Sequence, residues 1–217
     1  MNKRIYKFSL IFNTLFIIIS LLFIYRYKEY IIQKLIKKSG EAEIVLFGDS
    51  IIKGGDWTEL LNRNDVKNSG FPVYTTSHLT RIIKRNVIEY NPKICIIGAG
   101  INDINVGVPI QRIMINYQSM IDTLLTHNIK PIIQSTLYQE NNPHNKILVD
   151  SLNYFLYNYC KKKSLHYLDI NSELSSKDGL KSEFTIDGTH LTRNAYIIWG
   201  NKIKELLIEI ESSSVAY

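Results

Sequence analysis

From residue 43 onward the chain alternates short apolar runs with stretches in which apolar residues recur every three or four positions. The runs at 43–47, 66–68, 94–99, 131–136 and 166–170 are rich in Ile and Val and do not alternate with polar residues, which predicts parallel strands buried on both faces. Between them, Ile110, Ile113, Met114, Tyr117, Ile121, Leu124 and Leu125 predict one helix with a core-facing stripe. A second stripe runs through Ile147, Leu148, Leu152, Phe155, Leu156 and Tyr159, and a third through Tyr196, Ile197, Trp199, Ile203, Leu206, Leu207 and Ile210. Repeated strand–helix units imply an α/β domain with a parallel sheet, helices on both sides and right-handed crossovers. In such a sheet ligands bind beyond the carboxyl ends of the strands.

The first forty residues have a different pattern. Residues 8–25 carry no charge and are mostly Ile, Leu and Phe, with Lys7 before them and Arg26 after. As a helix they rise about 27 Å, close to the hydrocarbon thickness of a bilayer. The expected organisation is a basic N-terminus at 1–7, a transmembrane anchor at 8–25, a basic linker at 26–40 and one globular domain at 41–217. A cleaved signal peptide fits less well, because Arg26, Tyr27 and Lys28 stand where a small-residue cleavage site is needed. Basic residues flank both ends, so charge alone does not orient the span. Its likeness to an export signal places the domain outside the cytoplasmic membrane.

Charge changes the picture only by its distribution. Residues 1–40 hold eight lysines and arginines against a single acid, Glu29, and account for all of the +6 net charge. The remaining chain is near neutral and has no basic face with which to neutralise phosphates, so nucleic acid is excluded as a partner. Cys95 and Cys160 sit at apolar positions, form no CxxC pair and read as core residues.

Three short motifs fall at predicted element boundaries. The first strand runs into Gly48-Asp49-Ser50, which places a serine hydroxyl at the sheet edge. It is not the GxSxG elbow, since Ile52 occupies the second glycine position. The third strand ends in Gly100-Ile101-Asn102-Asp103, where the Asn102 amide can donate to charge developing on a substrate oxygen. Near the C-terminus, Asp187 and His190 are three positions apart, so a carboxylate can orient an imidazole while its other nitrogen faces a hydroxyl. His78, His127, His144 and His166 have no acid at this spacing and read as surface or structural residues. No HExxH or paired Cys/His set provides a metal site.

With Asn68-Ser69-Gly70 and Leu191 added, these motifs give the chain a resemblance to the SGNH (GDSL) hydrolases over roughly residues 43–210. The resemblance leans to the branch of platelet-activating-factor acetylhydrolase subunits and bacterial lysophospholipase-like esterases. Supporting context comes from Gly54-Gly55-Asp56-Trp57, from Thr75-Thr76 with His78, and from Tyr196-Ile197-Ile198-Trp199. It implies a three-layer α/β/α sandwich with a five-stranded, flavodoxin-like parallel sheet. It also implies Ser50 as nucleophile, His190 as base, Asp187 as orienting acid, and the Ser50 N–H and Asn102 as oxyanion donors. The family pattern usually has a glycine at the position of Val73, as the third donor, and an acid at the position of Tyr74. Here Val73 keeps an N–H after Pro72, with Gly70 as the alternative donor. The expected activity is cofactor-free cleavage of a carboxylic ester of a carbohydrate or lipid through an acyl-enzyme. The alternatives are an O-acyltransferase acting on cell-envelope polysaccharide, or a weakly active binding module.

Overall fold

The computed structural model describes residues 12–17, 19–20, 26–27 and 42–214. Residues 1–40 and 41–217 are separate units. In the first, the described residues are helical, and Phe12, Leu15, Phe16, Ile17 and Ile19 are exposed. Among the described residues no helix is long and apolar enough to cross a membrane. The rest of the expected span at 8–25, and most of the linker at 26–40, lies outside the described residues.

In the second unit five strands form one parallel sheet: β1 (Ile44–Gly48), β2 (Val66–Gly70), β3 (Ile94–Gly98), β4 (Lys130–Gln134) and β5 (His166–Leu168). Their order is β2-β1-β3-β4-β5. All five runs read from the sequence are strands, with ends shifted by one or two residues. The shift at β1 has a physical cause, because pairing continues through Gly48, opposite Gly70 on one side and Gly98 on the other. A Cβ at Gly48 would lie 1.9 Å from the Gly98 carbonyl oxygen, so only glycine lets the strand ends close. Every residue of β1 is buried, as a central strand covered on both faces requires.

The helices that position the site are α1 (Ser50–Gly54), α2 (Trp57–Leu61), α3 (Thr76–Asn86), α4 (Ile101–Asn105), α5 (Ile110–Thr126), α6 (Pro143–Lys163), α7 (Asn171–Leu174) and α8 (Arg193–Ser214). They pack in two groups, α3–α5–α6 and α2–α8–α7. The predicted stripes of α5 and α8 supply buried Ile113, Tyr117, Ile121 and Leu124, and Trp199, Ile203, Leu207 and Ile210. Leu125 of the first and Ile197 of the second are exposed, and the stripe of α6 is also only partly right. Leu152 and Leu156 are buried, whereas Ile147 and Phe155 face outward, because this helix carries apolar residues around more than one face. Cys95 and Cys160 are buried free thiols.

Candidate active site

Ser50 is the first residue of α1, directly beyond the end of β1. Asp49 caps the helix, its Oδ1 accepting the Ile51 N–H at 2.9 Å, while its carbonyl accepts the Lys53 N–H at 3.1 Å. The Ser50 N–H falls in the first turn, where no carbonyl one turn back exists to receive it. A five-residue helix cannot hold itself together. Side chains take over its trailing carbonyls. The Tyr196 hydroxyl donates to Ile51 at 2.7 Å and the Trp57 indole to Ile52 at 2.8 Å. The Asn68 amide donates to Ile52, Lys53 and Gly55 at 3.2, 3.2 and 2.9 Å. Gly70 ends β2 against this helix, and a Cβ there would lie 2.2 Å from the Lys53 nitrogen.

His190 Nε2 lies 3.0 Å from Ser50 Oγ across a separation of 140 residues, and Nδ1 lies 2.7 Å from Asp187 Oδ2. Asp187 Oδ1 accepts the backbone N–H of His190 at 2.7 Å and of Thr189 at 3.0 Å. The His190 N–H first, then its imidazole and the Thr189 N–H, lower the Asp187 carboxyl to about 2. The loop is held by a bridge between Thr185 and Leu191 and by the Thr185 hydroxyl, which donates to the His190 carbonyl at 2.8 Å. The connection after β4 secures it from outside: Gln139 Nε2 donates to the Thr189 hydroxyl at 2.9 Å, and the Glu140 N–H to the Gly188 carbonyl at 2.8 Å. The His190 and Asp187 side chains remain 43% and 51% exposed, so the dyad is open to a substrate.

Asn102 lies in α4, beyond the end of β3 and thus at the same sheet edge as Ser50. Its amide donates to the Tyr74 carbonyl at 3.0 Å, which leaves the second N–H for another acceptor. The neighbouring Asp103 is buried and accepts the Thr76 N–H at 2.8 Å and the Thr76 hydroxyl at 2.6 Å, tying α4 to the start of α3. Together these bonds fix both ends of the Asn102 region to the segment that carries Val73.

Val73 is the third residue of a turn closed by the Tyr74 N–H on the Phe71 carbonyl at 3.3 Å, with Pro72 second. Its φ is +59°. Positive φ at the third position, after proline, is the signature of a type II turn, where glycine is the ordinary occupant. A β-branched residue there is strained. The valine therefore takes a backbone course that glycine adopts without strain. Its side chain is 79% exposed, and no hydrogen bond of the described residues uses its N–H. Gly70 is a different case. Its N–H donates to Asn68 Oδ1 at 3.0 Å and is engaged within the protein. The expectation that Gly70 could serve as the alternative donor is corrected on that ground.

Beneath the serine, burial pushes the Asp49 carboxyl up to about 7, against the Ile51 N–H, which pulls it down; Asp103 adds to the rise and His190 opposes it. Among the described residues no cluster of three or more His, Cys, Asp or Glu side chains could hold a metal ion. Sequence reasoning missed the Asn68 clamp on α1, the Tyr74 carbonyl beneath Asn102, and the braces from Gln139 and Glu140. The tripeptide Asn68-Ser69-Gly70 pointed to the first; the others carry no sequence signal.

A hydroxyl, an imidazole and a carboxylate stand in hydrogen-bonded series at the carboxyl edge of a parallel sheet, the arrangement of a nucleophile, its base and an orienting acid on an α/β fold. The chain belongs to the GDSL-like lipase/acylhydrolase family, whose model matches residues 46–197. It is similar to an N-acylneuraminate cytidylyltransferase of Streptococcus agalactiae, with 28% identity over 159 residues, covering 71% of this chain and 36% of the relative. The chain thus spans about a third of the length of the curated relatives it matches. Its fold is similar to that of a GDSL-like lipase from Bacteroides thetaiotaomicron, with TM-score 0.74 and 22% identity over 85% of this chain and 98% of the other. An acetylxylan esterase from Geobacillus stearothermophilus (a catalytic mutant) gives TM-score 0.64 and 18% identity over 76% of this chain and 94% of the other.

Proposed function

We propose that the chain removes an acyl group from a hydroxyl of a carbohydrate or lipid by way of an acyl-enzyme on Ser50. The observation that carries this reading is the continuous chain from Ser50 Oγ to His190 to Asp187, at 3.0 and 2.7 Å. Ser50 Oγ attacks the carbonyl carbon as its proton passes to His190 Nε2. Asp187 holds the ring and stabilises the imidazolium. The negative oxygen of the tetrahedral intermediate is received by the Ser50 N–H, the free N–H of Asn102 and the Val73 N–H. His190 returns the proton to the departing alcohol, and water then repeats the sequence on the acyl-serine. A sugar ester is favoured over a lipid ester, because the curated relatives are named for a sugar, N-acylneuraminate; its N-acyl group is an amide, so the bond proposed for cleavage is an ester on a sugar hydroxyl.

Ser50→Ala is expected to lower kcat on an acetylated sugar by about 10⁴-fold or more, with the far-UV spectrum and melting temperature unchanged. Turnover at the wild-type rate would remove the serine from the reaction. Free acid as the product marks hydrolysis, whereas transfer of a labelled acyl group to an added glycan would mark an acyltransferase.

We also infer that residues 8–25 anchor the chain with its catalytic domain outside the cytoplasmic membrane. The support is the charge-free run between Lys7 and Arg26. Retention in the membrane pellet at alkaline pH, with the domain open to added protease on intact spheroplasts, is the expected result; release into the wash would overturn the anchor.

A further inference from the structure

Behind the nucleophile lies a cavity of about 10 Å³, lined by Asp49, Ile52, Ala99, Gln134 and Trp199 among others, all of them buried. Most of its wall is apolar. Among the described residues, Gln134 Oε1 and Trp199 Nε1 are the buried side-chain atoms with no hydrogen-bond partner. One is an acceptor and the other a donor, and both belong to residues of this wall. They come from different elements, β4 and α8. The two make no hydrogen bond with each other. Asp49, with one oxygen on the Ile51 N–H, also lines it, as do Ser135, whose hydroxyl accepts the Ile170 N–H, and Thr136, whose hydroxyl donates to the Ala99 carbonyl.

Buried donors and acceptors in folded proteins almost always find partners, and where the protein supplies none an internal water does so. Such a water needs two to four polar neighbours, and about this much room admits one water and no larger ligand. The volume is that of a single water, and Gln134, Trp199 and Asp49 place polar side chains in its wall.

We propose that this cavity is a water site, in which one molecule accepts the Trp199 indole N–H, donates to Gln134 Oε1 and hydrogen-bonds the Asp49 carboxyl. The water links the far side of the sheet and the last helix to the residue that caps the nucleophile helix. Gln134 and Trp199 are then positioning residues: they touch no substrate, and they act on Ser50 through Asp49. That positioning role rests on Ser50 being the nucleophile; the water site itself does not.

The test uses the full chain in detergent. A crystal structure at high resolution is expected to place one water within hydrogen-bond reach of both Trp199 Nε1 and Gln134 Oε1, and a dry cavity overturns the site. Trp199→Phe and Gln134→Met each remove one partner with little change of shape. Each is expected to lower kcat on the order of 10-fold and leave KM unchanged, as loss of precise placement does. Because the two side chains are linked only by the water, the double variant is expected to cost no more than either single one. Losses that multiply, or a rise in KM with kcat intact, overturn the positioning role. Should Trp199→Phe not fold, Gln134→Met and the wild-type electron density still decide. A bound water in a chain without ester turnover would leave this site standing and sink the proposed function instead.

Discussion

Val73 shows how a single side chain can depart from a family pattern without moving the backbone. Its φ of +59° is the value a glycine adopts freely and a β-branched residue does not. The surrounding bonds over-determine the turn: Tyr74 closes it, Asn102 holds the Tyr74 carbonyl, and Asp103 grips Thr76 just beyond. The strain costs about 1–2 kcal/mol and is borne by those contacts. Val73→Gly is therefore expected to stabilise the domain by about 1 kcal/mol, raising the melting temperature by about 2–4 °C, with kcat equal to or above that of the parent. A lower melting temperature in that variant would mean the backbone is not left-handed at this position. The motif reading located this residue but not its conformation, because a sequence shows which side chain stands at position 73 and not which φ its neighbours enforce.

At the scale of elements, α1 exists because other elements finish it. Asn68 reaches from β2 to three carbonyls at its trailing end, Trp57 from α2 to one and Tyr196 from α8 to another. Asn68→Ala is expected to destabilise the domain by about 1–2 kcal/mol, since the Gly55 and Lys53 carbonyls lose a donor while Ile52 keeps that of Trp57. It should also lower kcat more than it raises KM, measured as the full rate-against-concentration curve; an unchanged kcat would show that the helix holds its serine without the clamp. Strands and long helices were legible in the sequence because burial on two faces, or on one stripe, leaves a periodic signature. Strand ends were less so, since Gly48 and Gly70 continue the pairing without any apolar mark. The outward turn of Ile147 and Phe155 was not legible at all, as periodicity cannot rank competing faces on a helix apolar around its circumference. The candidate site motifs stood out because each sits at an element boundary and spans few residues. The bonds that brace them from Gln139, Glu140 and Tyr74 join distant segments through single side chains or bare backbone, and no spacing records them.

For the molecule as a whole, the buried carboxyl under the serine sets a pH dependence of stability. Asp49 is raised from its ordinary 3.8 to about 7, so between these values the folded chain keeps a proton that the unfolded chain has released. Stability then falls as pH rises across that window, by at most about 1.4 kcal/mol per pH unit from this group. The buried Asp103 is raised as well and acts in the same direction. Asp187, held down at about 2, acts in the opposite sense: its contribution is present above pH 4 and lost as the pH falls towards 2, and its exposure keeps that contribution small. Asp49→Asn keeps a cap acceptor for the Ile51 N–H and removes the ionisation. Urea unfolding from pH 5 to pH 8 is expected to show a flatter profile for this variant than for the parent; parallel profiles would place the Asp49 ionisation outside that range. A last consequence follows from the 140 residues that separate the two partners of the proton transfer. All five strands are laid down before His190 leaves the ribosome, so a growing chain holds its serine in waiting, unable to cut anything. The proposed cleavage is thus expected only from a chain made past position 190, and a truncation upstream of that residue is expected to yield a sheet without its base.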